Sequence, residues 1–112
     1  MTASRLDSPS LAERASGALL AHAAGNALGV PTEFLHTPDA ILAEFPGGVR
    51  DIIRRDTPQS PFDDDVAMAL LLAEELLAGD VDLERLAGRW IRWLDTDGRG
   101  AGNWTRTALN HI

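Results

Sequence analysis

Asp63-Asp64-Asp65-Val66-Ala67-Met68-Ala69-Leu70-Leu71-Leu72-Ala73 is the stretch that decides how this chain is read. From Val66 to Ala73 no polar side chain interrupts it. An apolar run of this kind predicts a helix from about Asp64 to Ala78, ended by Gly79. Glu74 and Glu75 mark its one wet edge, and a helix this apolar belongs in a core. The three carboxylates at its head repel one another, so one is pushed toward protonation or the group recruits a cation. Two readings of the acids stay open at this point. They form a site for a hard metal ion, or they are a solvated helix start favoured by the macrodipole.

Working upstream, Ser10-Leu11-Ala12-Glu13 fits a capping box, and a helix is predicted from about Leu11 to Leu28. Gly17, Ala21 and Gly25 fall four apart on one face, which predicts close approach by a neighbouring backbone. Gly29 suits the position just past the helix end, and Pro31 stops the helix from continuing. Glu33 lies just beyond. Residues 1–9 read as a flexible arm. Thr37-Pro38-Asp39 reads as N-cap, first-turn proline and first-turn acid of a short helix ending near Phe45, before Pro46-Gly47-Gly48. Val49–Arg55 is either extended or one helical turn, and Thr57–Pro61, with two prolines, is a loop.

Downstream, Asp82 caps a helix whose Leu83, Leu86, Trp90, Trp93 and Leu94 share one broad face. The tryptophan pair reads as core. Asp95–Asn103 is a glycine-rich loop, and a last helix begins near Trp104. Its amphipathic pattern persists to Ile112, which predicts that residues 10–112 are the N-terminal part of a larger all-α domain. Gly98–Gly102 reads as a connector, because no strand precedes it to make a phosphate cradle. Asp95-Thr96-Asp97-Gly98 matches only a fragment of a calcium loop.

The composition narrows the function. With 112 residues the chain is one domain or less, able to bury roughly two-thirds of its unfolded surface. A hydrophobic content of 45% argues against disorder. The net charge of −7 argues against nucleic acid or an anionic membrane as partner. All ten basic residues are arginine, which reads as coding bias. The absence of cysteine excludes disulfides, thiolate metal sites and cysteine nucleophiles. No signal pattern occupies Met1–Ser10, and the apolar run at 66–73 is too short to cross a bilayer. A soluble, cytoplasmic protein is expected. His22, His36 and His111 stand singly, without metal-ligand spacing, so the chemistry falls to carboxylates. If the helix ends near Glu33 and Asp63–Asp65 converge, up to four carboxylates meet, a donor set for Mg²⁺, Ca²⁺ or Mn²⁺.

Ala15-Ser16-Gly17-Ala18-Leu19-Leu20 through Ala24-Gly25-Asn26-Ala27-Leu28-Gly29-Val30-Pro31-Thr32-Glu33-Phe34 resembles the first motif of the ADP-ribosylglycohydrolase family, G-x-x-x-G-x-x-x-G-D-A-L-G-x-P-x-E. Asp63-Asp64-Asp65-Val66 followed by an apolar helix with Met68 is similar to the family's T-D-D-T element. Gly102-Asn103-Trp104-Thr105-Arg106-Thr107-Ala108-Leu109 is similar to its later G-x-x-T-x-x-A-L stretch. The motifs occur in the family's order and spacing, from about Ala15 to the last residue.

The resemblance implies an all-α fold around two Mg²⁺ ions. It also implies hydrolysis of the bond between ADP-ribose and a modified protein side chain or small acceptor. By position, Glu33 would lie near the metals and the scissile bond. Asp64 and Asp65 would bind metal, and Asp63 stands at a metal-binding threonine. Carboxylates would stabilise an oxocarbenium-like state at the anomeric carbon, while the metals orient ribose hydroxyls and activate water. The glycine-rich loop would lie near bound ADP-ribose. Asn26 stands where the family has aspartate, and Asp63 and Val66 where it has threonines. The family's second metal-binding element, D-x-D-T, does not occur in these 112 residues, so they supply half of a two-metal site. The same departures fit a non-catalytic relative, ADP-ribose-binding or structural, or an inactive fragment.

Overall fold

A computed structural model describes residues 8–53 and 61–112. The expected arm at 1–9 and the proline loop at 57–61 lie almost wholly outside them. Helix α1, Leu11–Gly29, starts on the anticipated capping box. Glu13 N donates to Ser10 Oγ at 3.2 Å, and Ser10 N donates to Glu13 Oε2 at 2.8 Å. Hydrogen bonding of the Glu13 carboxyl to the Ser10 side chain and backbone holds it below its usual range. The α-helix ends at Gly29, one residue past the expected end, but without a left-handed cap. Gly29 keeps right-handed helical geometry, and the chain tightens into a 3-10 turn, Val30–Thr32, that takes in Pro31. Proline is tolerated there because a first-turn N–H has no helical partner to lose.

Helix α2, Pro38–Glu44, is capped by Thr37, whose Oγ1 accepts from Ala40 N at 3.2 Å. Residues 49–53 form neither helix nor strand. Helix α3 spans Asp64–Leu77, α4 spans Leu83–Thr96 and α5 spans Asn103–Leu109. Asp82 Oδ1 caps α4 through Arg85 N at 3.0 Å. Helix α5 closes at Leu109 with Asn110 as its C-cap, short of the expected continuation to Ile112. The fold is all-α, with no strand among the described residues and no helix long and apolar enough to cross a membrane.

Helix α3 packs on both α1 and α4, and α4 carries α5. The core of the described residues is thin: Ala27, Val66, Leu86, Ala101 and Leu109. A radius of gyration of 18.1 Å exceeds the roughly 13 Å of a compact domain of about a hundred residues. Two expectations fail on this account. A Cβ added at Gly17 or Gly25 would meet nothing within 4 Å, so the small-residue stripe of α1 faces open space. Helix α3 is not buried all round, since Leu76 and Leu77 are exposed.

Glu75, expected on the wet edge, is fully buried. It sits seven residues, two helical turns, after Met68, on the side that meets α4. There Trp90 Nε1 donates to Met68 O at 3.2 Å. Arg85 and Arg89 reach Glu75 from α4, with Arg89 Nε 3.1 Å from its Oε2. Asp82 N donates to Oε1 at 3.3 Å. The Arg85 hydrogen bond, with help from Asp82 N and the two guanidinium charges, outweighs burial and holds the Glu75 carboxyl below its usual range. A depressed folded-state pKa gives stability that is present above the unfolded-state pKa and lost as pH falls through the folded one. Glu75→Gln is therefore expected to lower the thermal midpoint at pH 7 and to flatten its acid limb. Melts from pH 7 to pH 2 check both.

Candidate functional site

The 3-10 turn after α1 places Glu33 over the head of α3. Asp63 precedes α3 in the N-cap position, yet its side chain caps nothing. It turns instead toward α1 and is buried, 9% exposed. Asn26 holds it twice. Asn26 Nδ2 donates to Asp63 Oδ1 at 2.7 Å, and Asp63 N donates to Asn26 Oδ1 at 2.9 Å. The same amide nitrogen is 3.5 Å from Asp65 Oδ2. One turn earlier on α1, His22 Nε2 lies 3.2 Å from Asp65 O. The first turn of α3 is thus pinned to α1 by two polar side chains.

A cleft of about 300 Å³ results, lined by Asn26, Gly29, Val30, Glu33, Asp63, Asp64 and Asp65. All four carboxylates singled out in the sequence meet there. Their crowding shows on Asp64, whose carboxyl is pushed up, first by burial and then by the charges of Asp63, Asp65 and Glu33. A second hollow of about 420 Å³ shares Val30, Glu33 and Asp63 and adds Phe34, Phe62, Arg99 and Gly100.

Arg99 and Gly100, in a stretch the sequence suggested as a connector, line the second hollow. Gly98 and Gly100 have φ of +55° and +76°. Arg106 of α5 fastens the loop, with Nε 2.9 Å from Ala101 O and Nη2 2.9 Å from Gly98 O. The calcium-loop fragment does not form. Asp95 and Thr96 close the last turn of α4, and Thr96 Oγ1 donates to Arg92 O at 2.8 Å. Asp97 Oδ1 takes Arg99 Nε at 2.7 Å, which holds the Asp97 carboxyl below its usual range.

The donor chemistry of the cleft, carboxylate oxygen throughout, suits a hard divalent cation. The carboxylates line one wall of it: among the described residues no three His, Cys, Asp or Glu side chains close to metal-holding distance. Sequence reasoning registered Asn26 as a departure from a motif and missed its work as a clamp. The signal was there, since His22, Asn26, Val30 and Glu33 follow helical spacing and share a face.

The sequence profile of the ADP-ribosylglycohydrolase family matches residues 7–112. The chain belongs to the ADP-ribosylglycohydrolase family. The all-α architecture accords with this helical family, whose members are hydrolases. No curated protein and no solved structure matches the chain. Within an ADP-ribosylglycohydrolase chain, the cleft between the end of α1 and the head of α3 is where the two family motifs meet.

Proposed function

We propose that this chain serves a magnesium-dependent hydrolase that removes ADP-ribose from a modified side chain or a small acceptor. One observation supports the reading above the others: Glu33 and Asp63–Asp65, thirty residues apart in sequence, share a single cleft. Asp64 and Asp65, with Asp63 behind them, would hold Mg²⁺, which when bound orients ribose hydroxyls and lowers the pKa of water. Asp64 is the residue with most reason to take a cation, because a positive charge relieves both its burial and its three acidic neighbours. Glu33 is exposed at the cleft mouth, free to face the anomeric carbon and stabilise its developing positive charge. These carboxylates would supply part of the ligand set, and we place the remaining ligands on a further segment of the same domain.

The experiment is ADP-ribose release from an ADP-ribosylated protein by the full-length gene product in Mg²⁺. Release is expected, and Glu33→Gln should reduce its kcat by about 100-fold or more at unchanged folding. A folded protein that releases no ADP-ribose from any of several linkages overturns the enzymatic reading. One observation favours the rival, a non-catalytic ADP-ribose-binding relative: the carboxylates do not close into a ligand set among the described residues. ADP-ribose binding without turnover would select it.

A further inference from the structure

Gly100 has no catalytic chemistry of its own, but its backbone is pressed against buried Asp63 and half-buried Asp64. A Cβ built there would strike Asp64 Oδ1 and would lie 2.9 Å from both Cβ and Cγ of Asp63. Contacts below 3.0 Å force something to move. The loop itself cannot easily yield, because Arg106 holds it at both Gly98 O and Ala101 O. Asp63 cannot easily yield either, because Asn26 grips both its carboxylate and its backbone N–H. Of the three contacts, only the one with Asp64 is relieved by turning a carboxylate, and the two at Asp63 remain. Gly102, two residues on, has nothing within 4 Å of its would-be Cβ and an ordinary φ of −70°.

We infer that Gly100 is a positioning residue for Asp64: the bare backbone of the 98–102 loop sets where that carboxylate stands in the cleft. The inference rests on the metal reading of the cleft for its consequence, but its structural half stands apart from it. The loop approaches Asp63 and Asp64 whether or not an ion is held there. The role also differs from a simple need for positive φ. Asparagine adopts positive φ more readily than alanine, yet carries the same Cβ.

The test uses the full-length protein with Gly100→Ala, Gly100→Asn, Gly102→Ala, Asp64→Ala and the double variant Gly100→Ala/Asp64→Ala. Two readouts are taken: thermal midpoint in EDTA, and Mn²⁺ binding followed by electron paramagnetic resonance. Gly100→Ala and Gly100→Asn should lower the midpoint alike, and Gly102→Ala should do so far less. Truncating Asp64 should remove part of the Gly100→Ala loss, the non-additivity expected of side chains in contact. Both Gly100 variants should bind Mn²⁺ at least about tenfold more weakly than the parent, the range seen when the support of a ligand is lost. Equal losses from Gly100→Ala in the parent and Asp64→Ala backgrounds would overturn the inference, as would recovery in Gly100→Asn. A parent protein that binds no Mn²⁺ while the midpoints still show coupling would retain the contact and remove the metal reading. Unchanged Mn²⁺ affinity in the Gly100 variants would remove the positioning role.

Discussion

Asp64→Asn is expected to raise the thermal midpoint in cation-free buffer at pH 7 and to abolish the stabilisation that Mg²⁺ gives the parent. The two effects have one origin. Burial and the charges of Asp63, Asp65 and Glu33 push the Asp64 carboxyl up. A group whose pKa is raised on folding contributes stability that is complete below its unfolded-state pKa. That contribution is lost as pH rises through the folded-state pKa. At neutral pH the ionised Asp64 therefore opposes folding, and asparagine, uncharged and nearly isosteric, does not. The advantage of the variant should shrink as the pH falls through the carboxylate range, because the parent then neutralises itself. In Mg²⁺ the order reverses. A ligand that binds only the native state stabilises it by about 2.7 kcal/mol at a hundredfold excess over Kd, and the variant forfeits that gain with its ligand. Melts of both proteins in EDTA and in a Mg²⁺ series, at pH 4 and pH 7, check this. A variant less stable than the parent in EDTA would contradict the electrostatic account of the cleft. A variant with the parent's full Mg²⁺ shift would take Asp64 out of the metal site.

Such a trade of stability for function is common where charges are held together for a ligand. It also explains which parts of the molecule were legible in the sequence. Helix starts were legible because caps are local: Ser10 with Glu13, Thr37 with Pro38 and Asp82 all act within three residues of their partners. The end of α1 falls within a residue of its expected place, but its form differs: glycine permits a left-handed cap without requiring one, and a 3-10 turn carries the chain through Pro31. Burial was the least legible property. The apolar run of α3 announced a core, but which face is covered depends on where α4 lies. Arg85 and Arg89 turned Glu75 from an expected surface acid into the most deeply buried charge described.

The candidate site was legible as residues and illegible as geometry. Motif spacing brought Glu33 and Asp63–Asp65 forward, and the fold sets them in one cleft. The role of the Gly98–Gly102 loop could not be assigned from its own composition. Glycine-rich loops look alike whether they are free or pressed on a neighbour, and only the contact of Gly100 with Asp63 and Asp64 separates the two. Asn26 shared a helical face with His22 and Glu33, but an amide in a helix gives no local sign that its two ends fit one aspartate thirty-seven residues away.

That fit gives the second large expected effect. Asn26→Asp restores the residue usual in the family, yet it should destabilise this chain by about 2–3 kcal/mol at pH 7, the scale of a lost hydrogen bond to a buried charge. A carboxylate at position 26 can still accept from Asp63 N. It cannot donate to Asp63 Oδ1, and it sets two like charges at the 2.7 Å contact the amide now spans. One proton shared between them would relieve the repulsion, so the pair should take up a proton at a pH above the usual carboxylate range. By the sign of linkage, the lost stability should return as the pH falls through that raised value. With threonine in place of Asp63 as well, the contact again holds one acid and one donor. The double variant Asn26→Asp/Asp63→Thr should therefore recover most of the loss, a coupling of more than about 1 kcal/mol between contacting sites. Denaturant unfolding of the two single variants and the double, in EDTA at pH 5 and pH 7, measures it. Strict additivity, or an Asn26→Asp loss that does not change with pH, would show that the amide is not the clamp that holds Asp63 in the cleft.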